Sequence, residues 1–158
     1  MTADMRNFSQ ILNDFDLIYN WFWSFGYFGH EENLKVLKEF YNALKKDGLL
    51  LIHTTPKENI KDYLLDCKRD IFPTKIMGKE YPGGVLNFTK VFDKENSTIR
   101  TTWIVMLENG LVIPNLPTIS NVLMYSIGEY KEMLKRTGFK EIEVYDSYFP
   151  LKIFKARK

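Results

Sequence analysis

Few residues in this chain carry reactive chemistry. Among 158 residues there are two histidines, His30 and His53, and one cysteine, Cys67, with no close spacing among them. That pattern offers no metal site, and a lone thiol has no internal disulfide partner. No serine stands in a Gly-x-Ser-x-Gly elbow, so the hydrolase signature is missing. What the sequence does supply is aromatic density. Trp21, Phe22, Trp23, Phe25, Tyr27 and Phe28 fall within eight residues. Most of these rings read as core filling, and Trp21 and Phe22 as core or interface. Interruption by Asn20, Ser24 and Gly26, however, suits the wall of a small-molecule pocket better than a buried strand. His53 follows an apolar run. It reads either as a hydrogen-bonded strand end or as a general base for an amine or hydroxyl acceptor. His30 precedes Glu31 and Glu32 and reads as a helix-entry residue.

The elements that must position these residues alternate between strand and helix. Phe15-Asp16-Leu17-Ile18-Tyr19 predicts a short buried strand after the polar turn Asn13-Asp14. From Glu31 to Lys46 the apolar residues Leu34, Leu37, Phe40, Tyr41 and Leu44 recur at helical spacing. Acids in the first turn and Lys45 and Lys46 in the last suit the helix dipole, and Gly48 is expected to provide the left-handed stop. Leu49-Leu50-Leu51-Ile52, apolar on both faces, predicts a central parallel strand and completes a βαβ unit. Asn59 to Asp70 predicts a weaker helix containing Cys67, and Tyr81-Pro82-Gly83-Gly84 a turn. Period-two patterns then predict strands over Val85–Phe92, Thr98–Leu107 and Ile119–Tyr125, with turns at Asp93–Ser97 and Asn109-Gly110. Ser126 and Glu129 have capping-box spacing before a helical stripe that Gly138 stops. Glu141–Tyr145 and Leu151–Ala156 read as a closing antiparallel hairpin.

Composition narrows the function classes. Twenty-two basic against 20 acidic residues give a net charge of +2, and no basic-aromatic stripe argues for nucleic acid. No apolar run approaches the roughly 20 residues of a membrane span. With a single cysteine and no apolar signal core in Met1–Gln10, a cytoplasmic location is expected.

Several segments, in order, resemble the class I S-adenosylmethionine (SAM)-dependent methyltransferases. Asp4-Met5-Arg6 is similar to their turn after the third strand, and Phe15-Asp16-Leu17-Ile18 to their fourth strand. Leu44 to Ile52 resembles the end of the following helix and the fifth strand, with Lys46-Asp47 replacing the usual Pro-Gly. Ser126 to Phe139 (SIGEYKEMLKRTGF) is similar to the helix that feeds the last two strands. The β insertion before that helix is similar to that of small-molecule and amino-sugar N-methyltransferases. The implied fold is α/β, a partial Rossmann-like sheet with strands equivalent to 4-5-7-6 and an antiparallel β insertion. Residues 1–56 and 126–158 would form the C-terminal half of the α/β domain. Residues 57–125 would add a helix and the insertion, as a cap or dimerisation element.

The resemblance also assigns residues. Asp4 would accept from the adenine amine, Met5 would pack on that ring, and Asn20 would line the methionine portion of SAM. Ser24, Tyr27 and Phe28 would line the acceptor end of the cleft, with His53 and Tyr27 as the catalytic candidates. The departure is equally specific, because no Gly-x-Gly motif occurs anywhere in the sequence. The chain is therefore expected to share SAM with a partner that supplies the glycine-rich loop. That partner would be an N-terminal methyltransferase half-domain, with a homo-oligomer as the other way to hide the open sheet edge. The expected reaction is methylation of a small-molecule nitrogen or oxygen. The alternatives are a non-catalytic methyltransferase-like subunit that stabilises an active partner, and an inactive truncated product.

Overall fold

Local signals account for the best-defined helix. Ser126 Oγ accepts from the Glu129 amide at 3.1 Å, and the Glu129 carboxylate accepts from the Ser126 amide at 2.6 Å, a reciprocal capping box. Gly138, at φ 111°, ends the helix in the left-handed conformation. A computed structural model of the chain describes residues 3–65, 70–76, 79–107, 119–148 and 150–158. In chain order the elements are β1 (Phe15–Asn20), α1 (His30–Ala43), β2 (Leu44–Thr54), a 3-10 turn (Lys57–Asn59), α2 (Ile60–Leu65), β3 (Asp70–Ile76), β4 (Lys79–Asp93), β5 (Thr98–Leu107), β6 (Ile119–Leu123), α3 (Ile127–Thr137), β7 (Lys140–Asp146) and β8 (Lys152–Arg157).

Two compact units result, one from Met1–Tyr63 with Val122–Lys158 and one from Leu64–Asn121. The first contains a sheet of order β1-β2-β8-β7. β1 runs parallel to β2, from Leu17 opposite Leu49 to Asn20 opposite Ile52. β8 pairs antiparallel with both β2 and β7. Leu50, Ile52, Phe154 and Ala156 share one sheet face, where they are buried with Val36, Leu37 and Phe40 of α1 and Tyr130, Met133 and Leu134 of α3. Burying each of the large aliphatic and phenyl side chains among these stabilises the fold by roughly 1.5–3 kcal/mol relative to exposure. The second sheet has the order β3-β4-β5-β6, and its β3–β4 and β4–β5 pairs are antiparallel.

Several expectations are corrected. α1 ends at Ala43 rather than Lys46, and Lys45 and Lys46 lie in β2. Pairing of Leu44 with Phe15 overrides the helical propensity of Leu-Lys-Lys. Asp47, at φ 62°, takes the left-handed position expected of Gly48. Gly48 is required for a different reason: a Cβ there would lie 3.0 Å from the Lys45 carbonyl oxygen and 3.1 Å from that of Phe15. The described part of α2 spans Ile60–Leu65, and Asp70, the expected helix end, instead opens a strand that the sequence reading missed. Tyr81 to Gly84 lie inside β4 rather than in a turn. The β3–β4 register shifts between Phe72 and Thr74, so the Pro-Gly-Gly stretch is absorbed as a strand irregularity. Cys67 and the Asn109-Gly110 turn lie outside the described residues. Among the described residues no helix is long and apolar enough to cross a membrane.

Candidate functional site at the ends of the parallel strands

In an open α/β sheet, ligands bind beyond the carboxyl ends of the parallel strands. Here those ends are Asn20 on β1 and His53-Thr54-Thr55 on β2 and its exit. The chain leaves β1 through Trp21-Phe22-Trp23, and Phe22 (φ 49°) and Trp23 (φ 56°) both adopt the left-handed conformation. Bulky residues avoid that region, so two in succession store strain of order 1–3 kcal/mol each. The surroundings hold them there. The Trp23 amide donates to the His53 carbonyl at 3.2 Å, and Trp23 Nε1 donates to Thr55 Oγ1 at 2.8 Å. Trp21 stacks on the His53 ring with centroids 4.3 Å apart, and Phe22 meets that ring edge-on at 5.5 Å.

His53 is fully buried under this loop and the Ser147-Tyr148 turn. Its Nε2 lies 3.1 Å from Ser147 Oγ, while among the described residues Nδ1 has no partner. Burial penalises the imidazolium and pushes the His53 pKa below 6.5. A neutral imidazole with one free ring nitrogen is a competent proton acceptor. Asn20 is also buried, and its Oδ1 has no partner among the described residues. An orphaned buried amide oxygen costs about 1–3 kcal/mol unless a donor reaches it. Asn20 pairs with Ile52 of the core face, whereas His53, one residue on, leaves β2 by the opposite face. The two orphaned groups therefore share a strand end but not a face.

The remaining candidates divide. Ser24 Oγ donates to the Trp21 carbonyl at 2.6 Å, so it fixes the loop's own turn. Gly26 is a required glycine, at φ 107° with a built Cβ only 2.5 Å from the Leu123 carbonyl oxygen. Tyr27 is half exposed. Phe28 packs on the core and carries the Arg6 guanidinium 4.5 Å above its ring. Met5 also packs against the core. The Asp4 carboxylate is engaged by Arg6, with a closest contact of 2.7 Å, and this partner holds its pKa down at about 2. Arg6 reaches on to Glu32 at 3.1 Å, so Asp4, Met5 and Phe28 gather at the start of α1. His30, read as a helix-entry residue, is the first residue of α1.

Asn33 and Tyr125 escaped the sequence reading. Asn33 is fully buried, and its Nδ2 donates to the Phe28 carbonyl at 2.8 Å and to the Tyr125 hydroxyl at 3.0 Å. A carbonyl only accepts, so the amide orientation is fixed and Asn33 Oδ1 is left without a partner among the described residues. Burial raises the Tyr125 pKa, against the opposing Asn33 hydrogen bond. An Asn within the run Glu-Glu-Asn-Leu gives no sequence signal of burial. Among the described residues no cluster of His, Cys, Asp and Glu could hold a metal.

Solved structures share this fold. The chain matches a SAM-dependent methyltransferase from Clostridium acetobutylicum at TM-score 0.72 and 15% identity, covering 99% of this chain and 63% of that one. CcbJ methyltransferase from Streptomyces caelestis matches at TM-score 0.73 and 12% identity, with 98% and 61% covered. SAM-bound CalS10, an amino pentose methyltransferase from Micromonospora echinaspora, matches at TM-score 0.64 and 16% identity, with 98% and 62% covered. The chain thus has the fold of SAM-dependent methyltransferases while spanning less than two thirds of their length. No protein-family model matches the sequence, and no curated protein matches it.

Proposed function

We propose that this chain forms the C-terminal part of a cytoplasmic SAM-dependent methyltransferase acting on a small-molecule nitrogen or oxygen. A partner polypeptide, an N-terminal half-domain, contributes the glycine-rich loop for the shared SAM. In this reading β1, β2, β8 and β7 are the equivalents of strands 4, 5, 7 and 6, and the unit around β3–β6 is the cap or dimerisation element. The reading is supported above all by a methyltransferase fold that covers 99% of the chain. Among the described residues the outer edge of β1 pairs with no strand, which would leave it available to a further one.

The group SAM supplies is an electrophilic methyl on a sulfonium. The chain's own residues bind and orient. Asn20 Oδ1 is a buried acceptor awaiting a donor, which fits the amino group of the methionine portion. Met5 offers an apolar contact for the adenine ring. Asp4 already serves Arg6, although a carboxylate has capacity for a further donor such as the adenine amine. Ser24, Tyr27 and Phe28 line the acceptor side in this scheme, and rings there attract a cationic sulfonium. With Nε2 donating to Ser147 Oγ, His53 Nδ1 would accept the proton of the nitrogen or oxygen that SAM would methylate, with Tyr27 as the second polar group.

Calorimetric titration with SAM tests this. The lone chain is expected to bind SAM weakly or not at all, and the complex with its N-terminal half to bind it. In that complex Asn20→Ala should weaken binding by about 1–3 kcal/mol without lowering the melting temperature. Low-micromolar binding by the lone chain overturns the need for a partner. A second reading is a non-catalytic subunit that stabilises an active methyltransferase. It is favoured by Trp21 stacked over His53 and by Arg6 occupying Asp4. Full methyl transfer by a complex carrying His53→Gln would support it.

A further inference from the structure

The loop after β1 is fastened at two points that flank a single residue. The Gly26 carbonyl accepts from the Leu123 amide at 2.7 Å, and the Phe28 carbonyl accepts from Asn33 Nδ2 at 2.8 Å. Tyr27 lies between them and is 50% exposed. The rings beside it turn inward. Phe25 packs near Tyr125 and Tyr130, with centroids 6.1 and 5.9 Å away, and Phe28 packs against the core. Both fastenings converge on one short stretch, because Asn33 Nδ2 also donates to the Tyr125 hydroxyl at 3.0 Å. That stretch is itself fixed: the Tyr125 carbonyl accepts from the Lys57 amide, just past the end of β2, at 3.0 Å. All of these residues belong to the first unit.

We propose that Asn33 and Tyr125 are positioning residues, which clasp the loop Phe25–Phe28 to Leu123–Tyr125 and so set how Tyr27 is presented. The inference rests on the reading of this chain as part of a methyltransferase in which Tyr27 meets the acceptor, and it names what orients that residue. The clasp anchors the backbone one residue before and one residue after Tyr27. A group on a loop acts in one geometry only when its supports are locked in this way. The residue types fit the task. Asparagine carries two hydrogens on one neutral nitrogen, one for each partner, whereas aspartate has none to give and serine has one. Asn33 is 0% and Tyr125 3% exposed, so water does not compete for these bonds. Service to the helix does not explain Asn33. Gly29 is the N-cap of α1, and a side-chain donor cannot satisfy the free amides of a first turn. Gly26 completes the clasp, since a Cβ there would lie 2.5 Å from the Leu123 carbonyl oxygen and 2.9 Å from Val122 Cγ1.

Site-resolved hydrogen exchange and chymotryptic cleavage of the full chain test the clasp. Asn33→Leu should raise exchange of the Leu123 amide and cleavage after Tyr27 by about tenfold each, the scale of one lost buried hydrogen bond. Tyr125→Phe keeps the ring and removes one of the two partners of Asn33, so it should give a smaller rise of the same kind. The double variant should be no looser than Asn33→Leu, because both bonds use one nitrogen. The Phe139 amide, which donates to the Leu134 carbonyl at the far end of α3, should keep its protection in every variant. Should Asn33→Leu fail to fold, Tyr125→Phe carries the test. Unchanged exchange at Leu123, additive effects in the double variant, or an equal rise at Leu123 and Phe139 would each overturn the proposal. SAM titration of the complex with the N-terminal half separates the two readings, and Asn33→Leu should leave its SAM affinity unchanged. A loosened loop in a complex that does not bind SAM keeps the clasp and removes the methyltransferase reading. SAM binding with the Leu123 amide still protected does the reverse.

Discussion

The two faces of one sheet make the most informative comparison in this molecule. Leu50 and Ile52 of β2 are fully buried beneath α1 and α3. Their neighbours Leu49 and Leu51 point the other way and are half-buried, and beside them Leu17 and Tyr19 are exposed. Four consecutive apolar residues thus see two environments. An apolar run is the mark of a strand covered on both faces, and among the described residues the core of α1 and α3 covers one of them. Exposed patches of this kind mark interaction surfaces.

The comparison sharpens most on deletion of side chains. Leu50→Ala should cost about 2–5 kcal/mol of lone-chain stability, read from urea midpoints. Tyr19→Ala, on the open face, should cost less than about 0.5 kcal/mol while reducing self-association. Equal losses would mean that the open face is covered after all. Next in size is the support of α3 over the covered face. Ser126→Ala removes half of the capping box and should lower stability by about 1 kcal/mol. Rescue by Ser126→Asp, which can still accept from the Glu129 amide, would tie the loss to the cap.

A smaller effect concerns His53, which is fully buried. Its folded pKa lies below 6.5 because burial disfavours the charge. As pH falls below 6.5, the unfolded chain takes up a proton that the folded chain resists. Stability should therefore be level above pH 6.5 and decline below it, down to the folded pKa. His53→Gln should flatten that slope in urea titrations between pH 7.5 and 5. An unchanged slope would assign it to other groups.

Legibility followed the range of the interactions. The stop of α3 was readable because Ser126, Glu129 and Gly138 act within their own helix. The stop of α1 was not, because Leu44 ends the helix by pairing with Phe15, nearly 30 positions earlier in the chain. Tyr81 to Gly84 carry every local mark of a turn, yet β3 holds them in a strand. At the site, aromatic density drew attention to the loop after β1, which leaves the carboxyl end of a parallel strand. No pattern announces that Phe22 and Trp23 are strained, that Arg6 takes the Asp4 carboxylate, or that Asn20, Asn33 and His53 each keep an unpartnered atom. Those facts arise from three-dimensional neighbours.

The central claim is that the open half of the sheet is made to be covered by another chain. Size-exclusion chromatography with light scattering on the separately expressed chain tests it directly. Burial of several hundred Å² of apolar surface is worth on the order of 10 kcal/mol at about 25 cal/mol per Å². The lone chain should therefore run as an aggregate or larger assembly, and a matching N-terminal half should convert it to a defined complex. A monodisperse, cooperatively melting monomer would contradict the account.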